Sequence, residues 1–164
     1  MIAEAGMVAL TVNGTRVEVA APDDKPLLWA LREDLGVLGP KYGCGVAQCG
    51  ACRVLIDGVS TPSCIVPLGE AAGRSVVTVE GLADADGTLS IIQQAWIDEQ
   101  APQCGYCHPG FLIAVTELLA TNPQPSDADI DEAITNICRC GTYSRIRKAI
   151  HRAAAARRSA GAAA

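Results

Sequence analysis

The first eighty residues show the alternation of apolar and polar positions that is typical of short β-strands. The predicted strands cover residues 8–12, 15–19, 53–60 and 75–79. Asn13-Gly14 separates the first two, and this dipeptide suits the positive φ angles of a type I′ hairpin turn. Asp57-Gly58 divides the third run in the same way. The pattern therefore predicts two hairpins and one further strand.

Between the two hairpins the apolar period changes to that of a helix. The residues that set this period are Leu27, Leu28, Leu31 and Leu35. We expect Asp24 to cap this helix, Pro26 to lie in its first turn, and Gly36 to end it. These elements predict a small sheet wrapped on one helix. This half of the chain ends near Gly81.

After residue 82 the strand formers give way to four segments with helical period. Thr88 is the expected cap of the first helix, Pro109 begins the second, Ser126 caps the third, and Ser144 begins the fourth. The side chains expected to face inward are Ile91, Ile92, Ala95, Trp96, Leu112, Val115, Leu118, Leu119, Ile130, Ile134, Ile137, Ile146, Ala149 and Ile150. Four helices with short connections predict a small helical bundle.

These patterns predict an α+β protein of two domains. Residues 7–81 form the sheet domain, residues 82–155 the all-α domain, and the alanine-rich residues 156–164 a loose tail. Apolar residues make up 49% of the chain, which is ordinary for a protein with a packed core. Because aromatic residues make up only 4%, the core should be mainly aliphatic.

Eight cysteines fall into two quartets, and the first is Cys44, Cys49, Cys52 and Cys64. The C-x4-C-x2-C spacing of its first three members is that of a plant-type [2Fe–2S] ferredoxin. Glycines at 43, 45 and 50 allow the backbone to turn sharply and bring N–H groups to the sulfur atoms. A zinc site or disulfides are the alternatives, although the spacing departs from common zinc patterns.

The second quartet pairs Cys104 with Cys107 as C-x2-C and Cys138 with Cys140 as C-x-C. Each pair lies next to the predicted start of a helix, where the macrodipole favours thiolates. This spacing alone is compatible with either an iron–sulfur cluster or zinc. A thioredoxin-like site is less favoured, because no βαβ unit surrounds the C-x2-C motif. His108 is expected to support the site rather than to be a ligand, and His151 to face solvent.

Charge and composition narrow the classes of function. The net charge is −5, but seven basic and no acidic residues lie between 139 and 158. This basic segment is either a solvated helix face or a docking surface for a partner. No nucleic acid is expected as a partner. The start of the chain shows no signal peptide and no apolar run is long enough to span a membrane, so we expect a cytoplasmic protein in which thiols stay reduced. Export together with a partner stays open.

Three motifs carry a resemblance to a known family. They are K-Y-G-C through G-A-C over residues 41–52, Q-C-G-Y-C-H-P-G over 103–110, and N-I-C-R-C-G over 136–141. Together they make the chain similar to the small iron–sulfur subunit of the molybdenum hydroxylases, the xanthine oxidase and aldehyde oxidoreductase family. The resemblance extends over about residues 7 to 155.

The resemblance implies a β-grasp ferredoxin domain followed by a four-helix [2Fe–2S] domain. It further implies two [2Fe–2S] clusters and a large catalytic subunit that binds molybdopterin, expected in its cytosine dinucleotide form. In the family, electrons pass from molybdenum to the cluster of the helical domain, then to the ferredoxin-type cluster, and then outward. The positions that contact the pterin in the family correspond to Gln103 and Cys140 here.

Further details resemble the branch that contains isoquinoline oxidoreductase, such as I-Q-Q-A-W at 92–96. This branch implies an aldehyde or N-heteroarene substrate, and its members often lack a flavin subunit and can pass electrons to a cytochrome. The expected acceptor is a cytochrome c-type protein or a flavin subunit. His108 stands where threonine, glutamine or serine is more usual, and Phe111 where methionine is common. We therefore expect an electron-transfer subunit of an oxidoreductase without a substrate site of its own. The rival hypotheses are a free-standing ferredoxin-like carrier and a zinc-stabilised interaction module.

Overall fold

A computed structural model describes residues 6–161. Five strands form one mixed sheet: β1 (Gly6–Val12), β2 (Thr15–Ala21), β3 (Arg53–Ile56), β4 (Val59–Pro62) and β5 (Ser75–Val77). Their order is β2-β1-β5-β3-β4, and only the β1–β5 pair of this sheet is parallel. The α+β class predicted from the sequence is confirmed.

Both predicted hairpin turns are present. Asn13 and Gly14 have φ angles of 49° and 79°, and Asp57 and Gly58 have 49° and 87°. These left-handed values are those of a type I′ turn. The last strand is shorter than predicted, because the chain forms a 3₁₀ turn from Val79 to Leu82.

Helix α1 (Leu27–Trp29) continues as a wider π-helical segment, Ala30–Asp34. The predicted cap by Asp24 is wrong: Pro26 is the residue before the helix, and no side chain caps it. The first amides bond instead to a neighbouring segment, with Leu27 N donating to Val66 O (2.8 Å) and Leu28 N to Ser63 O (3.0 Å). A side-chain cap is unnecessary because these carbonyls already satisfy the amides.

Four further helices follow: α2 (Ile91–Asp98), α3 (His108–Thr121), α4 (Asp127–Ala133) and α5 (Tyr143–Gly161). Ser90, not Thr88, caps α2, because Gln93 lies three residues later and completes a reciprocal capping box. The predicted cap of α4 by Ser126 is confirmed, and Asp129 completes that box.

Apolar side chains form two main cores. The first lies between the sheet and α1 and includes Leu10, Val54 and Leu31. The second lies among the C-terminal helices and includes Trp96 and Phe111, so the expectation that Trp96 belongs to the core is confirmed. The larger part of the expected inward set is buried here, including Ile92, Leu119, Ile146 and Ile150.

Two isoleucines expected to face inward do not. Ile91 is 38% exposed and Ile137 is 50% exposed. Helix α4 ends at Ala133, so Ile137 lies in an irregular segment. Its amide donates to Cys49 O at 3.0 Å instead of to a helical carbonyl.

Helix α5 continues to Gly161, so the described part of the predicted tail is helical. Its basic residues are partly paired within the chain: Arg147 contacts Asp127 and Asp131, and Arg152 contacts Asp98 and Glu99. Two of the seven basic residues between 139 and 158, Arg147 and Arg152, are thus balanced by neighbouring carboxylates. No helix in residues 6–161 is long and apolar enough to cross a membrane.

Candidate iron–sulfur centres

The first cysteine quartet lies on the loop before β3 and on the segment after β4. Cys44 Sγ accepts three backbone N–H groups, from Val46 (3.4 Å), Gln48 (3.2 Å) and Cys49 (3.3 Å). Cys44 N in turn donates to Cys49 Sγ at 3.4 Å. The predicted approach of amides to sulfur is therefore present, and it suits an anionic group that gains further negative charge on reduction.

The backbone turns that aim these amides need left-handed φ angles. Gly45 has φ 70° and Gly50 has φ 71°. Ala47 adopts φ 60° although it carries a Cβ, a conformation that costs free energy and needs support from its surroundings. The loop is therefore held in a shape that serves the sulfur atoms.

The other half of the first quartet is buried. The Cys52 and Cys64 side chains contact each other and pack with Leu28 under the sheet domain. Burial raises the pKa of Cys52 to about 12, and the neighbouring thiol of Cys64 adds to the rise. The amides of Val46 and Cys49 lower the pKa of Cys44 to about 7. The quartet thus has a solvent-side pair and a buried pair.

The second quartet has the same division. Cys104 is exposed and Cys140 half-buried, and their thiols contact each other. Cys107, the residue before α3, and Cys138 are both buried, and their thiols also contact each other. The two sequence pairs C-x2-C and C-x-C therefore face each other, as expected from their positions at helix starts.

Within each contacting pair, one thiol has a lowered pKa and the other a raised pKa. The amide of Tyr106 and the thiol of Cys140 lower the pKa of Cys104. Burial raises the pKa of Cys107 to about 12. Burial acts to raise the pKa of Cys138, but hydrogen bonds from Thr142, the Cys107 thiol and the Cys140 backbone together lower it. All eight cysteines are free thiols in this structure, which does not support the disulfide alternative.

His108 is a buried residue at the start of α3. Its Nδ1 accepts a hydrogen bond from Trp96 Nε1 (2.8 Å), and burial lowers its pKa, with the charge of Arg145 adding to this. The side-chain ligand atoms of Cys107, His108 and Cys138 all lie within 4.8 Å of one another. His108 thus lies beside the second quartet.

The two quartets meet through the loop of the first. Ile137 N donates to Cys49 O at 3.0 Å, and Asn136 Nδ2 donates to Gly50 O at 3.0 Å. Helix α3 approaches the same carbonyl so closely that a Cβ on Gly110 would lie 2.0 Å from Gly50 O. Sequence reasoning missed Asn136 and Gly110 as contacts, because nothing local to either residue indicates its distant partner.

The remaining predicted site residue, Gln103, is exposed directly before Cys104. It lies outside the sulfur contacts and is available at the surface beside the Cys104–Cys140 pair. Thr142 and Trp96 were not predicted to contact the site. Only the position of Thr142, two residues after Cys140, offered a signal for it.

Two family models match the chain. Residues 10–74 match the 2Fe-2S iron-sulfur cluster binding domain, and residues 78–151 match the [2Fe-2S] binding domain. A nicotinate dehydrogenase subunit from Pseudomonas putida is 52% identical, over 92% of this chain and 96% of that protein. The alpha subunit of isoquinoline 1-oxidoreductase from Brevundimonas diminuta is 51% identical, over 90% of this chain and 97% of that protein.

Solved structures show the same likeness. A chain of quinoline 2-oxidoreductase from Pseudomonas putida superposes with a TM-score of 0.87 at 37% identity, covering 95% of this chain and 98% of that one. The aldehyde oxidoreductase from Desulfovibrio desulfuricans superposes with a TM-score of 0.88 at 38% identity. There the match covers 93% of this chain but 17% of the other, so the same fold is a small part of a much longer polypeptide.

The fold, the two quartets and these matches define a protein with two [2Fe–2S]-binding domains. The chain belongs to the family of small iron–sulfur subunits of the molybdenum hydroxylases. It is an electron-transfer component of an oxidoreductase and works with a large catalytic partner that holds the substrate site. The expectation of such a component, rather than a free-standing carrier, is confirmed. The family models likewise favour iron–sulfur over zinc at the second quartet.

Proposed function

We propose that this subunit relays electrons from a molybdopterin site on its large partner to an external acceptor. The substrate is an aldehyde or an N-heteroarene, and the names of its relatives, which act on nicotinate and isoquinoline, support the second class. The family resemblance supports molybdopterin in its cytosine dinucleotide form. A flavin subunit or a cytochrome c-type protein is the acceptor.

Within this subunit we assign residues 7–81 to a β-grasp ferredoxin-type domain. Residues 82–155 form a four-helix domain, and residues after 155 a terminal extension. The two hydrophobic cores support this division, since one joins the sheet to α1 and the other joins the C-terminal helices. The boundary then falls close to the 3₁₀ turn Val79–Leu82.

The ligands follow from the sulfur contacts. Cys44, Cys49, Cys52 and Cys64 hold the first cluster, and Cys104, Cys107, Cys138 and Cys140 hold the second. When bound, the clusters supply one-electron transfer. The chain contributes the amides that stabilise negative charge on Cys44 Sγ and the buried surroundings of Cys52 and Cys107. Reduced thiols support assembly in the cytoplasm, with later export beside a partner as a compatible fate.

The contact between the two quartets carries the relay proposal. Ile137 N donates to Cys49 O, and Ile137 is covalently joined to Cys138. One hydrogen bond thus connects Cys49 of the first quartet to the residue directly before Cys138 of the second. The more exposed pair of each quartet, Cys44 with Cys49 and Cys104 with Cys140, lies towards solvent. Electrons can therefore enter at one quartet and leave at the other.

We place the entrance at Gln103 and Cys140. Both are accessible beside the second quartet, where an exposed amide and a half-buried thiol can contact a cofactor held by the partner. The exit is then at the first quartet, where Cys44 and Cys49 are half-buried. This order is the one that the family resemblance implies.

The test uses the complex of this chain with its large partner. Metal analysis and EPR of the dithionite-reduced complex should show two distinguishable [2Fe–2S] signals and roughly four irons for each copy of this chain. In Cys140→Ser, the second signal should be lost, and substrate should no longer reduce the first cluster although dithionite still does. Turnover should stop as well.

Cys44→Ser is the matched control. It should lose the first signal while substrate still reduces the second cluster. If substrate reduces the first cluster in Cys140→Ser, the proposed entrance is wrong. A single signal with half the iron in the unmodified complex would contradict the two ligand sets.

A further inference from the structure

A line of four buried side chains runs from the helical core to a thiol of the second quartet. Trp96 Nε1 lies 2.8 Å from His108 Nδ1, and His108 Nε2 lies 3.5 Å from Thr142 Oγ1. Thr142 Oγ1 in turn lies 3.4 Å from Cys138 Sγ. The four residues are between 3% and 5% exposed, so water does not compete for these contacts.

The direction of each hydrogen bond follows from the indole. Trp96 Nε1–H can only donate, so His108 Nδ1 must accept and carries no proton. The ring is therefore neutral, with its proton on Nε2, which faces Thr142 Oγ1. The hydroxyl oxygen accepts from Nε2–H, and the hydroxyl proton is left to point at Cys138 Sγ.

We propose that Trp96 and His108 are positioning residues that orient the Thr142 hydroxyl as a permanent donor to Cys138 Sγ, and that this raises the reduction potential of the second cluster. The proposal rests on Cys138 being a ligand of that cluster, as proposed above. A donor to a ligating sulfur stabilises the negative charge added on reduction, so it favours the reduced form. A higher potential here makes this cluster a better acceptor for electrons that enter the subunit.

The reference measurement is an EPR-monitored redox titration of the holo complex. Thr142→Val removes the hydroxyl and keeps the size of the side chain. In Thr142→Val the midpoint potential of the second cluster should fall by about 59 mV for one electron. At the midpoint potential of the unmodified cluster, the oxidised form of the variant should then be in about tenfold excess over the reduced form. The first cluster should keep its potential and serves as an internal reference.

Thr116→Val is the matched control. The Thr116 hydroxyl donates to Leu112 O within α3 at 2.7 Å and is half-buried, and the structure gives it no contact with a sulfur atom. Its removal should leave both potentials unchanged. Thr142→Ser, which restores a hydroxyl, should return the second potential towards that of the unmodified protein.

Trp96→Phe separates orientation from direct contact. Without the indole donor, the His108 proton can move to Nδ1, and Nε2 then accepts from Thr142 and draws the hydroxyl proton away from sulfur. The potential of the second cluster should fall although Trp96 does not touch it. In the Thr142→Val background the same substitution should have no further effect on the potential.

Two results would overturn the proposal. One is a Thr142→Val protein whose oxidised-to-reduced ratio at that midpoint stays within about twofold of the unmodified ratio, since a lost donor should shift it more. The other is strong hyperfine coupling to a directly bound ¹⁴N nucleus at the second cluster, which would make His108 a ligand. If Thr142→Val does not retain its second cluster, Trp96→Phe and Thr142→Ser decide the question. Absence of the second cluster is a separate outcome, because the unmodified protein would then hold half the iron.

Discussion

Gly110→Ala should destabilise the protein, although alanine is the better helix former. In an open helix this substitution stabilises by about 1 kcal/mol. Here the new Cβ would lie 2.0 Å from Gly50 O and 3.0 Å from Gly50 C. Because both atoms belong to backbone, no side chain can rotate away. Helix α3 or the loop of the first quartet must move by about 1 Å or more to reach ordinary contact.

That displacement has two costs. Overpacking a close contact typically costs about 1–3 kcal/mol. Gly50 O also accepts from Asn136 Nδ2 at 3.0 Å, and Asn136 is 3% exposed. Losing that buried hydrogen bond costs a further amount of about 1–3 kcal/mol. After subtracting the gain in helix propensity, we expect a net loss of about 1–5 kcal/mol.

Thermal unfolding of the holoprotein measures this loss. For a protein of this size the apparent Tm should fall by about 2–20 °C. Gly6→Ala is the matched control: the new Cβ would meet a flexible carboxylate oxygen of Asp23 at 3.2 Å, and the residue is exposed. Its Tm should change little. A Gly110→Ala protein as stable as the unmodified one would refute the close approach of α3 to the loop.

Two further predictions concern the thiols and the helical core. In the iron-free protein at about pH 8, iodoacetamide should modify Cys44 and Cys104 first and Cys52 and Cys107 last, because the pKa values of the first pair are lowered while those of the second are raised to about 12. Mass spectrometry of peptides follows each site, and equal rates at all four would contradict the assigned surroundings. Phe111→Ala should cost about 3–5 kcal/mol in thermal unfolding, since Phe111 is fully buried, whereas Leu89→Ala at a 39% exposed site should cost little. Equal losses would contradict the packing of α3.

Local chemistry made much of the fold predictable. Asn13-Gly14 and Asp57-Gly58 form hairpin turns because these residue types tolerate the left-handed φ angles that a type I′ turn requires. The cap of α4 by Ser126 has the same origin. Where two candidates lay close together, as with Thr88 and Ser90, the choice depended on the Gln93 side chain three residues after Ser90. Asp24 was the wrong cap because a distant segment supplies the carbonyls that α1 needs.

The sequence by itself determined the class of cofactor, because two quartets of thiols at those spacings restrict the chemistry to a few metals. Only the tertiary structure decided how the quartets communicate. Ile137 meets Cys49, and Thr142 meets both His108 and Cys138, through packing between residues far apart along the chain. Such contacts depend on the relative placement of whole helices and loops, which no local pattern encodes. The spacing of the cysteines therefore indicates which cofactor the chain binds. The packing around the cysteines indicates which side chains and backbone groups contact the ligand sulfur atoms.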